Sequence, residues 1–166
     1  MPVSRTHTCY LPFVKSMLVN REDVLKYIPQ RMPIVVVHGL IEHSENQSTS
    51  IFNVEKDHLF VRDGKLLPSG LMENIAQTAA LRSGYHFSNV ATTGGEMKDP
   101  PIGFIGALKN FVVDDLPTIG SVLYTTVKMT HEVMGMQVVE GFVLCGKQII
   151  ASCEMKIFLS QEGQNV

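Results

Sequence analysis

The sequence predicts an α+β protein in which an antiparallel sheet curls around one long helix. Three observations carry this. Residues 67–85 hold a helical pattern with two faces that are apolar or nearly free of side chain. A β-branched run with a polar turn and a second strand pattern comes before it, and four further strand patterns come after it. The polar remainder of the helix is so narrow that the helix must be wrapped, and alternating strands supply the apolar face that wraps it.

Taken in order, residues 1–19 show no clear period and read as an N-terminal arm of a single domain spanning 1–166. Asn20 is placed to cap a short helix, Arg21 to Ile28, with Glu22 and Asp23 in its first turn and Pro29 ending it. Ile34 to Glu42 is β-branched, fenced by Pro33 and the polar run from Ser44, and reads as a strand, with Ser50 to Val54 as its antiparallel partner. Asp57 to Phe60 reads as a short strand or turn, and Asp63-Gly64 as a turn pair. In the central helix region, 66–88, Pro68 or Ser69 starts the helix. Leu71, Met72, Ile75 and Ala79 form one stripe and the small residues Ala76, Ala80 and Gly84 a second, which would let strands approach. Val90 to Pro101, with Gly94-Gly95 and Pro100-Pro101, is a loop. Strands are expected at 102–113, 122–131, 137–144 and 148–159, with a turn at Leu116–Gly120 and a tight hairpin at Gly146.

Composition narrows the function. At 45% hydrophobic and 18% charged the chain is globular, with an apolar surplus that suits an oligomer. Fourteen Lys and Arg against sixteen Asp and Glu give a net charge of −2, so no basic field for nucleic acid or an anionic membrane exists. Duplex DNA and lipid vesicles should therefore go unbound at physiological salt, and a salt-sensitive gel shift would contradict this. Cys9, Cys145 and Cys153 are odd in number and lack metal spacing, which favours a reducing, cytoplasmic setting over a disulfide framework. No signal peptide and no run approaching the roughly 20 apolar residues of a membrane helix is read. His7, His43, His86 and His131 are scattered without metal spacing, and no cofactor is expected.

Glu73 is the candidate catalytic residue. Glu73 is expected in the first turn, where an acid is favoured by the helix dipole alone, but it is the sole carboxylate between Asp63 and Glu96, in a helix that otherwise reads as buried. Such a setting would hold its proton near neutral pH. Gln77 lies one turn on, placed to orient Glu73, to bond a substrate carbonyl, or simply to be satisfied within the core.

Several of these stretches resemble one family. Ile28-Pro29-Gln30-Arg31-Met32-Pro33 and the run Ile34 to Val37 resemble the Leu-Pro-His-Arg-x-Pro-strand opening of the 3-hydroxyacyl-ACP dehydratases of fatty-acid synthesis. Pro68 to Gln77 is similar to their Pro-Gly-x-x-x-x-Glu-x-x-Ala-Gln helix, one residue shorter between Pro and Glu. Gly103 to Phe111, then Leu116 to Gly120, resembles their third strand and the following turn. The lead-in Phe60-x-x-Asp63-Gly64-x-Leu66-x-Pro68 looks more like a divergent branch, the ApeP-like proteins of aryl polyene and flexirubin pigment synthesis. The resemblance runs from about Val24 to Leu159 and implies the hotdog fold. It also implies a homodimer or higher oligomer, or a hetero-oligomer with a related hotdog protein. The acyl chain, delivered by an acyl carrier protein, would lie in a tunnel between two protomers and lose water to give the trans-2-enoyl thioester.

Carried onto this chain, the resemblance gives Glu73 the carboxyl role and makes Gly70, Leu71, Gln77 and Phe104 substrate-binding positions. The backbone N–H groups of Gly70 and Leu71 at the helix start would face the thioester oxygen. The family's Gly-His-Phe-Pro-Gly segment is missing, its place taken by Val61-Arg62-Asp63-Gly64-Lys65. A positioned acid–base group is worth about 10²–10⁴-fold, so a substitute is needed, and His58 is the nearest. His38 stands where relatives usually carry Asp, and for both histidines a structural role is the plain alternative. Arg31, Arg62, Lys65, Arg82 and Lys109 are candidates for a basic mouth toward an acidic carrier protein. Two other functions fit the same residues: a hotdog thioesterase, and an acyl-ACP-binding subunit that has lost its catalytic histidine.

Overall fold

The computed structural model describes residues 16–91 and 102–160. Eight strands and one long helix account for most of it: β1 (Gly39–His43), β2 (Gln47–Asn53), β3 (Val61–Arg62), β4 (Lys65–Leu66), α1 (Pro68–Ala91), β5 (Gly103–Val113), β6 (Val122–Val133), β7 (Met136–Cys145) and β8 (Gln148–Leu159). Six strands form one antiparallel sheet in the order β1-β2-β6-β7-β8-β5, while β3 and β4 make a small separate hairpin around Asp63-Gly64.

The sheet packs one face against α1. Leu71, Ile75 and Ala79 from the helix meet Phe52, Val127, Val139, Val143 and Met155 from the strands, all buried. The close approach is made from the sheet side. A Cβ on Gly141 of β7 would lie 2.1 Å from Ile75 Cγ2, so only glycine lets the helix seat there. The small stripe Ala76, Ala80 and Gly84, expected to admit strands, instead lines an open groove. A second cluster, Val24, Ile28, Val35, Val37, Leu40 and Leu81, closes the other flank of the helix. One helix held in a curled antiparallel sheet is the hotdog arrangement.

Two expected elements change. The helix over Arg21–Ile28 is only a single 3-10 turn, Val24–Lys26, preceded by Asp23, whose side chain makes no capping bond. Its carboxylate is taken by Lys26 Nζ at 2.6 Å, and Asn20 contributes its carbonyl, not its side chain, to the turn. The strand over Ile34–Glu42 starts only at Gly39. Val35, Val36 and Val37 are buried, but Val36 is bonded by the side chains of Asn74 and Gln77 from α1, and Val35 O by His58, rather than by a strand. Asp57–Phe60 is a turn leading into β3.

The end of the arm is tied down: the N–H groups of Leu18 and Val19 donate to Leu40 O at 2.8 and 3.2 Å. The rest of the arm, with His7 and Cys9, and the loop containing Gly94-Gly95 lie outside the described residues. Among the described residues no helix is long and apolar enough to cross a membrane.

Candidate active site

Pro68 begins α1, which puts Glu73 in the second turn of the helix. The dipole's pull on a carboxylate fades within the first turn, so it does not account for an acid here. Glu73 is half-exposed rather than buried, which corrects the expectation from the sequence. Its position is nonetheless fixed, because Gln77 Nε2 donates to Glu73 Oε1 at 2.8 Å.

Gln77 is fully buried and every hydrogen-bonding group on its amide is used. Its Oε1 accepts from Val36 N–H at 2.8 Å, and its second Nε2 proton goes to Ile34 O, also at 2.8 Å. No N–H is left for a substrate carbonyl, so Gln77 acts as the orienting residue. Asn74, which pattern reading passed over, completes the arrangement. Its Nδ2 donates to Val36 O at 2.6 Å and its Oδ1 accepts from Thr125 Oγ1. Thr78 Oγ1 donates to Asn74 O and lies 2.7 Å from Ser50 Oγ. The signal in the sequence is a pair of polar residues at helical spacing, Asn74 and Thr78, and Thr125, which breaks the apolar alternation between Leu123 and Val127.

The other expected site residues fall elsewhere. His58 is buried between Phe52 and Phe60, with ring centroids 5.5 and 5.8 Å away. Its Nε2 donates to Val35 O at 2.9 Å and its Nδ1 accepts from Phe60 N–H at 3.3 Å, which leaves neither nitrogen for a substrate. His38 Nδ1 accepts from Asn53 N–H at 3.3 Å, and Nε2 lies 4.0 Å from Glu55, itself held by Arg21 at 2.6 and 3.1 Å. Burial first, and then the Arg21 charge, push His38 down to about 4. The Gly70 and Leu71 N–H groups both donate to Leu67 O, at 2.9 and 3.2 Å, so the expected oxyanion donors are bonded within the helix start. Phe104 is 59% exposed and sits on the face of β5 opposite to Gly103 and Ile105, which line the groove.

The groove has a volume of about 310 Å³. Ala76, Ala80 and Gly84 form its floor, the Leu25–Arg31 segment one wall, and Ile102, Ile105, Ile157 and Leu159 the other. Gly84 is required by the first wall, since a Cβ there would come 2.0 Å from Tyr27 O. Glu73 is not among the residues that line the groove; it lies three residues before Ala76 on the same face of α1. Of the residues expected at a basic mouth, Arg31 binds the carbonyls of Ile28 and Gln30, Arg82 is buried with Nη2 on Glu45 O, and Arg62 and Lys65 are cross-strand partners in the β3–β4 hairpin. Among the described residues, no group of three or more His, Cys, Asp or Glu side chains is placed to hold a metal.

A model of the ApeP dehydratase family, described as ApeP-like, matches residues 22–166. The chain belongs to the ApeP-like dehydratase family. In fold it is similar to the dehydratase heterocomplex ApeI:P of Xenorhabdus doucetiae, with a TM-score of 0.74 at 20% identity over 84% of this chain and 91% of that one. It is similar at TM-score 0.56 to a hypothetical thioesterase protein of Streptococcus pneumoniae solved with coenzyme A, at 10% identity over 73% and 84% of the two chains. The E. coli PaaI protein of the phenylacetic acid degradation operon gives 0.56 at 11% identity over 72% and 80%. No curated protein matches. Likeness to the thioesterase and PaaI structures speaks to fold alone.

Proposed function

We propose that this chain is the carboxylate-bearing member of a hotdog dehydratase acting on a 3-hydroxyacyl thioester carried by an acyl carrier protein. The observation that carries the reading is Glu73, held by Gln77 at 2.8 Å and one helical turn before Ala76, the first residue of α1 to line the groove. In this reading the acyl chain lies along the groove and its C3 hydroxyl meets Glu73. The carboxyl group gives its proton to that hydroxyl, which leaves as water. A base takes a proton from C2, and the released electron pair forms the C2–C3 double bond of the enoyl thioester.

The base is assigned to a second hotdog subunit. Both nitrogens of His58 are engaged by main chain, which argues against a complete acid–base pair within this chain. That the similar Xenorhabdus doucetiae assembly is a dehydratase heterocomplex supports a mixed pair as the working unit.

The test is mass spectrometry of a 3-hydroxyacyl carrier protein incubated with the full chain, alone and together with a co-purified related hotdog subunit. The pair should remove one water, and Glu73→Gln should lower that rate by about 10²–10⁴-fold while the fold is kept. Free acid plus carrier thiol would make the protein a thioesterase. No product from chain or pair would leave a binding subunit, and full activity in Glu73→Gln would remove Glu73 from the chemistry.

A further inference from the structure

The extended stretch Ile34 to Val36 is gripped from two sides. Successive carbonyls of an extended segment point opposite ways, and here the two directions have different holders. On the helix side Gln77 takes the Val36 N–H and the Ile34 carbonyl, both at 2.8 Å, and Asn74 takes the Val36 carbonyl at 2.6 Å. On the far side the Val35 carbonyl accepts from His58 Nε2 at 2.9 Å, in a buried bond.

The same imidazole reaches the entry of α1. Its Nδ1 accepts from Phe60 N–H at 3.3 Å, and the Phe60 carbonyl accepts from Leu67 N–H at 2.9 Å, one residue before the helix begins at Pro68. The ring itself is held by Phe52 and Phe60 and by its turn, in which His58 N–H donates to Glu55 O and Val61 N–H donates to His58 O. His58 is therefore a fixed point. One of its bonds runs to the segment that Gln77 grips, and the other to the start of the helix that carries Glu73.

The consequence falls on Glu73. Of the two Gln77 Nε2 protons, one goes to Ile34 O and the other to Glu73 Oε1, each at 2.8 Å. A shift of residues 34–36 moves Ile34 O and Val36 N–H together, turns the Gln77 carboxamide with them and draws its bond to Glu73 out of place. A misplacement of about 1 Å at a reacting group costs on the order of 10²-fold in rate.

We infer that His58 is a positioning residue for the dehydration: by holding the Val35 carbonyl it fixes residues 34–36, and through Gln77 the pose of Glu73, without itself taking or giving a proton. This rests on the reading of Glu73 as the acid of the site.

Two substitutions separate positioning from proton transfer, because each keeps one bond and neither new side chain can act as a base. Glutamine has the reach of Nε2 and can still donate to Val35 O; asparagine is shorter, can accept from Phe60 N–H and leaves Val35 O unpaired. The full chain with its co-purified related hotdog subunit is assayed on a 3-hydroxyacyl carrier protein. His58→Asn should lower kcat by about 10–10²-fold with KM unchanged, and His58→Gln should recover most of that loss. A histidine that serves stability alone would lower the melting temperature in both variants and leave kcat untouched, a result that overturns the inference. So does an equal loss in both variants, which at about 10²–10⁴-fold would make His58 the base. A wild-type pair that forms no enoyl product, or full activity in Glu73→Gln, removes the reading of Glu73 and this inference with it. An inactive Glu73→Gln beside a fully active His58→Asn overturns the inference alone. Should His58→Asn fail to fold, His58→Met, which keeps an apolar side chain against Phe52 and Phe60 and removes both bonds, takes its place with the same outcomes.

Discussion

Gln77 holds three partners at once, the Val36 N–H, the Ile34 carbonyl and the Glu73 carboxylate, so one side chain couples the shape of the groove wall to the pose of the acid. Replacing it with leucine keeps the bulk and leaves the buried Val36 N–H and the part-buried Ile34 carbonyl unpaired. At about 1–3 kcal/mol for the buried group and less for the part-buried one, Gln77→Leu should lower stability by roughly 2–4 kcal/mol in urea denaturation. His38 gives a second expectation. Burial and Arg21 hold it at about 4 against an ordinary 6.5, opposed by Glu55 and aided by His58. Between those values the unfolded chain binds more protons than the folded one, so stability should fall as pH drops from about 6.5 to about 4. His38→Asn should flatten that slope, and an unchanged pH profile would show that His38 does not drive it. At this scale Glu73 was legible as a lone acid in an apolar helix. The duties of Asn74 and His58 were not, because hydrogen bonds to distant main chain leave no periodic trace in a sequence.

Among the elements, the long helix and the four strands after it lie close to where periodicity put them, since each carries enough alternating positions to define its own face. Short stretches were less legible. Ile34 to Val37 has strand composition and strand burial, yet Asn74 and Gln77 take the place of a neighbouring strand. Composition reports that a segment is extended and buried, not what satisfies its backbone. The 20–28 segment stays a single turn because Asp23 gives it no capping bond and Pro29 leaves too little length for a costly nucleus. The wall it forms depends on Gly84. Gly84→Ala must push Tyr27 O back from a 2.0 Å contact, and should cost roughly 1–3 kcal/mol by thermal unfolding while weakening acyl binding. An unaffected melting temperature would mean that the wall yields freely.

For the whole molecule, strand order and the resemblance together gave the fold. β5 ends the six-stranded sheet with an open edge of 11 residues. Across the face away from the helix, cross-strand neighbours Val133, Met136, Phe158 and Phe104 form an apolar row over four strands, three of them 48–59% exposed. An edge of this length beside such a row invites association. Light scattering should therefore give a mass of at least twice 18.4 kDa at micromolar concentration, and a monomer mass would rule the assembly out.

The side-chain grip on Ile34 to Val37 has one more consequence. In a sheet, an amide is shielded by a ladder that opens cooperatively, but Val36 N–H is shielded by a single carboxamide. Its deuterium uptake should follow local excursions of Gln77 rather than global unfolding, and so run faster than that of Val127 in the middle of β6. Ligand seated in the groove should slow it, making this one amide a label-free reporter of occupancy.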